Sequence, residues 1–79
     1  MKLRLVSYGI AKDILASKEK EVEYEVKNVK ELKAKLYLDY PDLERLRSVA
    51  FAVKEEYQGD DFLLSENDEV VIIPPVAGG

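Results

Sequence analysis

Three features of the chain predict a small α+β domain with a mixed sheet. Two strand patterns precede one long helical pattern, and two more strand patterns follow it. The last strand pattern, Val70–Ile73, is apolar at every position, as in a central strand covered on both sides or nearly so. The length of 79 residues suits a single domain.

Each element follows from local patterning. Lys2–Val6 reads as a strand, with Leu3 and Leu5 on one side and Lys2, Arg4 and Val6 on the other. Ser7-Tyr8-Gly9 ends it. Ile10–Leu15 fits either a short helix or an ordered loop, and Ser17–Lys20 reads as a charged turn. From Glu21 to Val26, three glutamates alternate with Val22, Tyr24 and Val26, so a second strand with one wet and one buried face is expected there. Asn28 and Glu31 have the spacing of a helix N-cap and its capping-box partner. Val29, Leu32, Leu36 and Tyr40 then fall on one helical face, and Lys30, Lys33 and Lys35 on the rest. Pro41 stops that helix and can open a shorter turn over Asp42–Leu46.

The second half is strand-rich. Val49–Val53 has strand character, and Glu55-Glu56-Tyr57 either prolongs it or turns away. Turns are expected at Gln58–Asp61 and Ser65–Asp68, on either side of the apolar Phe62-Leu63-Leu64. Glu69–Ile73 is the final strand, and it must end at Pro74-Pro75, which have no N–H to give. If the first and last strands pair at the centre they run parallel, with the helix on one face. That is the β-grasp, or ubiquitin-like roll, formed by residues 1–73, with residues 74–79 as an extended tail.

Composition excludes most catalytic chemistry. The chain has no Cys and no His. It therefore has no thiolate nucleophile, no Cys- or His-held metal and no Ser-His-Asp triad. No phosphate-binding glycine motif and no EF-hand spacing occurs. No metal and no bound cofactor are expected. The formal net charge of -4 disfavours nucleic acid as a partner. No apolar run reaches the roughly 20 residues that span a bilayer, and Lys2–Val6 is no signal-peptide core. A cytoplasmic protein with no membrane partner is expected.

The remaining candidate for chemistry is the C-terminal end. Pro74 and Pro75 are stiff and direct the tail away from the sheet. From Pro74 to Gly79 the chain can reach roughly 20 Å when extended. Gly78 and Gly79 carry no side chains, so the last peptide can enter a narrow channel at any backbone angle. A terminal carboxylate is ionised at neutral pH and is a poor electrophile. Its use as an acyl donor requires a leaving group such as AMP, which a partner enzyme and ATP must supply.

Asp68-Glu69-Val70-Val71-Ile72-Ile73-Pro74-Pro75-Val76-Ala77-Gly78-Gly79 resembles the C-terminal signature of the small subunit of molybdopterin synthase. Lys2–Gly9 and Val49–Tyr57 resemble that family's first and third strands, with Lys54 where Asn is common and Asn67 where Gly is frequent. The resemblance implies a sulfur carrier within the β-grasp fold. A ubiquitin-activating-like enzyme would adenylate Gly79, and a sulfurtransferase system would convert it to a thiocarboxylate. The tail would then enter the large subunit of the synthase, where its sulfur builds the dithiolene of molybdopterin from cyclic pyranopterin monophosphate. The chain would be the sulfur-donating co-substrate of that enzyme, with no catalytic side chain of its own.

The resemblance also implies an apolar contact with the large subunit through Tyr8, Tyr57 and Ile73, beside the tail residues Pro74, Pro75, Val76 and Ala77. Glu55–Glu69 contains seven acidic residues and no Lys or Arg. Such a stretch serves as a solvated edge or as a docking face for a basic groove. The same activated tail could instead be joined to lysines of target proteins, or carry sulfur for thiamine synthesis or tRNA thiolation. A plain binding module of β-grasp shape would need no free Gly-Gly end.

Overall fold

The computed structural model of the protein describes residues 1–46 and 48–75. Eight elements follow in order: β1 (Lys2–Ser7), α1 (Gly9–Leu15), β2 (Glu19–Glu23), α2 (Val29–Asp39), α3 (Pro41–Glu44), β3 (Ala50–Val53), β4 (Glu56–Tyr57) and β5 (Glu69–Ile73). The strands form one sheet in the order β2-β1-β5-β3-β4. Strands β1 and β5 run parallel near its centre, and the other neighbours are antiparallel. The helices pack on one face, so the β-grasp arrangement is correct.

Alternation along the strands builds the core. Leu3 and Leu5 of β1, Phe51 and Val53 of β3, and Val70 and Ile72 of β5 all point to the helical side and are buried. Against them lie Val29, Leu32 and Leu36 of α2, Leu43 of α3, Ala11 and Leu15 of α1, and Leu64. These side chains form a single cluster, which is the main source of stability in a domain this small.

Helix α2 starts where the cap pattern places it. The Asn28 side chain accepts the Glu31 N–H at 2.8 Å. The Glu31 carboxylate reaches one residue further back than a standard capping box, to the Lys27 N–H at 2.9 Å. Pro41 ends α2 and occupies the first turn of α3, where its missing N–H costs nothing. Ile10–Leu15 resolves as a helix. Ala11 and Leu15, one turn apart, both reach the core, and Ala16 closes the helix in a left-handed conformation.

Several expected boundaries are corrected by partner strands. The second strand covers Glu19–Glu23, not Glu21–Val26, because its ladder is set by β1: Val6 pairs with Glu19 and Lys2 with Glu23. One further exchange, between Met1 and Tyr24, exhausts the partner, so Glu25 and Val26 have nothing to pair with. The expected turn at Ser17–Lys20 shrinks accordingly, since Glu19 and Lys20 join the ladder. β3 begins at Ala50 instead of Val49. Ala50 faces Ile73, the last residue before Pro74, and a proline has no N–H to extend the pairing.

Glu55-Glu56-Tyr57 turns away. Lys54 and Glu55 both adopt left-handed backbone, with φ of 56° and 68°, and form a two-residue hairpin turn into β4. β5 is central, as expected, but the expected cover on both sides is not found: among the described residues only one of its faces is covered. Val70 and Ile72 are buried under the helices, whereas Val71 and Ile73 are half-buried on the open face.

Candidate functional site: the open sheet face and the base of the tail

Register places the candidate residues together. Across the open face one row runs Tyr57, Ala52, Val71 and Val6, from β4 through β3 and β5 to β1. The next row holds Ala50 and Ile73. Tyr8 follows Ser7 in extended conformation and continues the alternation of β1 onto this face, one step past the Ser7–Ile72 pair. Tyr8 therefore sits at the same end of the sheet as Ile73.

Exposure differs along this patch. Tyr8 is 50% and Tyr57 72% exposed, both large values for aromatic rings, whereas Ile73 is half-buried. Tyr57 shares the face but not the immediate neighbourhood of Ile73. It lies two strands from β5, roughly 10 Å at the usual strand spacing. Ala50, Val6 and Val71 belong to the same apolar surface and are not distinguishable from the sequence alone, because membership depends on register. The Lys18 ammonium lies 5.8 Å from the centroid of the Tyr8 ring.

The other half of the open face is charged. Lys2 and Arg4 of β1 stand opposite Glu23 and Glu21 of β2, and Arg4 also neighbours Glu69 of β5. The Arg4 guanidinium is 3.5 Å from the Glu19 carboxylate, in an exposed pair of small energetic value. A cleft of about 320 Å³ here is lined by both signs of charge and suits no single ion. Among the described residues no group of acidic side chains is arranged to hold a metal.

Of the seven acids in Glu55–Glu69, three are engaged by partners among the described residues. Asp60 accepts from Lys33 at 2.8 Å, which holds its carboxyl below the usual range. Glu66 accepts the Lys2 N–H, and Asp68 accepts the Ser65 N–H. These three serve as tethers of the loop, which favours the solvated-edge reading for this part of the stretch.

The tail starts beside α1. Parallel pairing of β1 and β5 delivers Tyr8-Gly9 and Ile73-Pro74 to the same edge. Gly9 has φ of +56°, and a Cβ at this position would lie 3.5 Å from Cγ of Pro74. The remaining tail residues named from the sequence, Val76, Ala77, Gly78 and Gly79, lie outside the described residues. Among the described residues no helix is long and apolar enough to cross a membrane.

Sheet order, the parallel central pair and helices on one face define a ubiquitin-like β-grasp protein. The chain belongs to the ThiS family, which it matches over residues 8–79. It is 31% identical to the molybdopterin synthase sulfur carrier subunit of Caenorhabditis briggsae over 81 aligned positions, covering 98% of this chain and 96% of that protein. It is 47% identical to the Arabidopsis thaliana protein of the same name over 45 residues, which span 56% of this chain and 47% of that relative. Among solved structures it resembles SAMP1 from Haloferax volcanii, with a TM-score of 0.82 at 18% identity over the whole of both chains. It also resembles a chain in the complex of subunits 1 and 2 of molybdopterin-converting factor from Helicobacter pylori, with a TM-score of 0.69 at 24% identity over the whole of both. The resemblance drawn from the C-terminal motif and the β-grasp fold are thus both borne out.

Proposed function

We propose that this chain is a sulfur carrier of molybdenum cofactor biosynthesis, working through the carboxyl group of Gly79. The observation that carries the reading is the Pro-Pro-Val-Ala-Gly-Gly ending on a central strand, in a chain whose relatives are named molybdopterin synthase sulfur carrier subunits. In this reading a ubiquitin-activating-like enzyme joins the Gly79 carboxylate to AMP from ATP, releasing pyrophosphate. A persulfide on a sulfurtransferase then displaces AMP to give an acyl disulfide, and a thiol reductant cleaves its S–S bond to release the thiocarboxylate. ATP belongs to the activating enzyme, and this chain binds no cofactor.

In this reading delivery uses the base of the tail and the open face beside it. Pro74 and Pro75 hold the start of the tail stiff, and Val76, Ala77 and Gly78 thread into the large subunit of the synthase. Tyr8, Ile73 and Tyr57 supply the apolar contact on the open face. Burying such a surface contributes ~25 cal/mol per Å², less the cost of association. The sulfur reaches cyclic pyranopterin monophosphate in the partner's active site, and the groups that catalyse its insertion belong to that partner.

The test is direct. Intact-mass analysis of the protein from its native cell should show a fraction heavier by the exchange of one oxygen for sulfur at the terminus. Appending one alanine after Gly79 should abolish cofactor synthesis while the fold survives. Cofactor synthesis by that blocked protein, with the alanine shown to remain, would refute the reading. High-mass conjugates that vanish when Gly79 is deleted, with no sulfur at the terminus, would assign the chain to lysine modification instead.

A further inference from the structure

We propose that Gly9 is a positioning residue for the tail: its bare backbone forms the seat against which Pro74 sets the direction of departure from the sheet. This rests on the proposed role of Gly79. Three observations support it. Gly9 is the first residue of α1, immediately after the strand that runs parallel to β5. Its backbone is left-handed, at φ +56°, so the chain turns sharply into the helix where the tail begins. The Tyr8 carbonyl anchors that turn by accepting the amides of Ala11 at 3.1 Å and Lys12 at 3.3 Å.

Two demands coincide at this position. Left-handed backbone favours glycine, and Cγ of Pro74 lies in contact range of a Cβ at this position. They can be separated. An alanine Cβ would stand at 3.5 Å from Pro74 Cγ, an ordinary contact, so alanine suffers the backbone strain without displacing the ring. A larger side chain suffers the same strain and adds atoms beyond a Cβ that already touches Pro74. Because Pro74-Pro75 is stiff, a shift at Pro74 is passed on to Pro75 and redirects the start of the tail.

The experiment compares the unsubstituted full-length chain, Gly9→Ala and Gly9→His as varied substrates of the cognate adenylating enzyme in ATP–pyrophosphate exchange. Histidine is chosen because it tolerates left-handed backbone better than most bulky residues. Circular dichroism confirms the fold, and assays run well below each Tm at a pH where the imidazole is neutral. Both variants should melt a few degrees lower by similar amounts. Gly9→Ala should keep kcat/KM within about twofold of the unsubstituted chain, whereas Gly9→His should lose about tenfold. Equal kcat/KM for all three would overturn the inference, and equal losses in both variants would show a purely structural role and overturn it as well. Should Gly9→His fail to fold, Gly9→Asn takes its place with the same expected loss. No exchange with the unsubstituted chain would refute the proposed function, and this inference with it.

Discussion

Tyr24 shows how one side chain ties layers together. Its hydroxyl donates to the Asp39 carboxylate at 2.9 Å, joining the end of β2 to the last turn of α2. Lys35 lies 3.8 Å from the same carboxylate and 5.6 Å from the Tyr24 ring centroid. Burial, then the hydrogen bond to Asp39 and its charge, push the phenol above its ordinary value. In the unfolded chain Tyr24 ionises near pH 10. Above that pH the unfolded state binds fewer protons than the folded state, so stability falls as pH rises. Urea midpoints should therefore decline above pH 10, and Tyr24→Phe should flatten that decline. An unchanged slope in the variant would show that Tyr24 does not contribute. Another residue shows the opposite economy: Ser7 is fully buried, and its hydroxyl has no hydrogen-bond partner among the described residues.

At the level of elements, the hairpin between β3 and β4 is the clearest strained feature. Two-residue turns of this twist favour Asn-Gly, because both positions need positive φ. Here they are Lys54 and Glu55, at 56° and 68°. Left-handed backbone costs an ordinary residue roughly 1 kcal/mol or more. The double substitution Lys54→Asn, Glu55→Gly should therefore stabilise the domain by about 1–2 kcal/mol. At this size each kcal/mol is worth about 4–8 °C in Tm. A melting curve that fails to move upward would mean the turn is not strained. The turn itself was open to two readings from sequence, since Lys-Glu-Glu carries no turn signal and reads equally as continued strand.

For the whole molecule, the sheet is two-sided, and among the described residues only one side is covered. Helices bury one face, while the other carries an apolar half around Tyr8, Val71, Ile73 and Tyr57 and a charged half on β2 and β1. Because Ile73 lies on the open face, a charge there should leave the core intact. Ile73→Asp should weaken binding to the large subunit at least tenfold in titration calorimetry, with the monomer still folded. Unchanged affinity would remove this face from the interface. Much of this was legible from residue types. Tyr8, Tyr57 and Ile73 do share one face, but the distance of Tyr57 from the other two was not visible, because it depends on β3 lying between β5 and β4.

The residue pattern alone determined which kinds of element form and where most of them stop. Asn28 starts α2, Pro41 divides two helices, and Pro74 ends β5, because capping, ring closure and a missing N–H act within a few residues of the chain. It also determined that no Cys or His chemistry is available. Only the tertiary structure decided the limits of β2, the open face of β5 and the placing of Pro74 near Gly9. Those depend on which backbone lies alongside. Pairing partners are set by packing between segments far apart in the chain, and no local pattern records them.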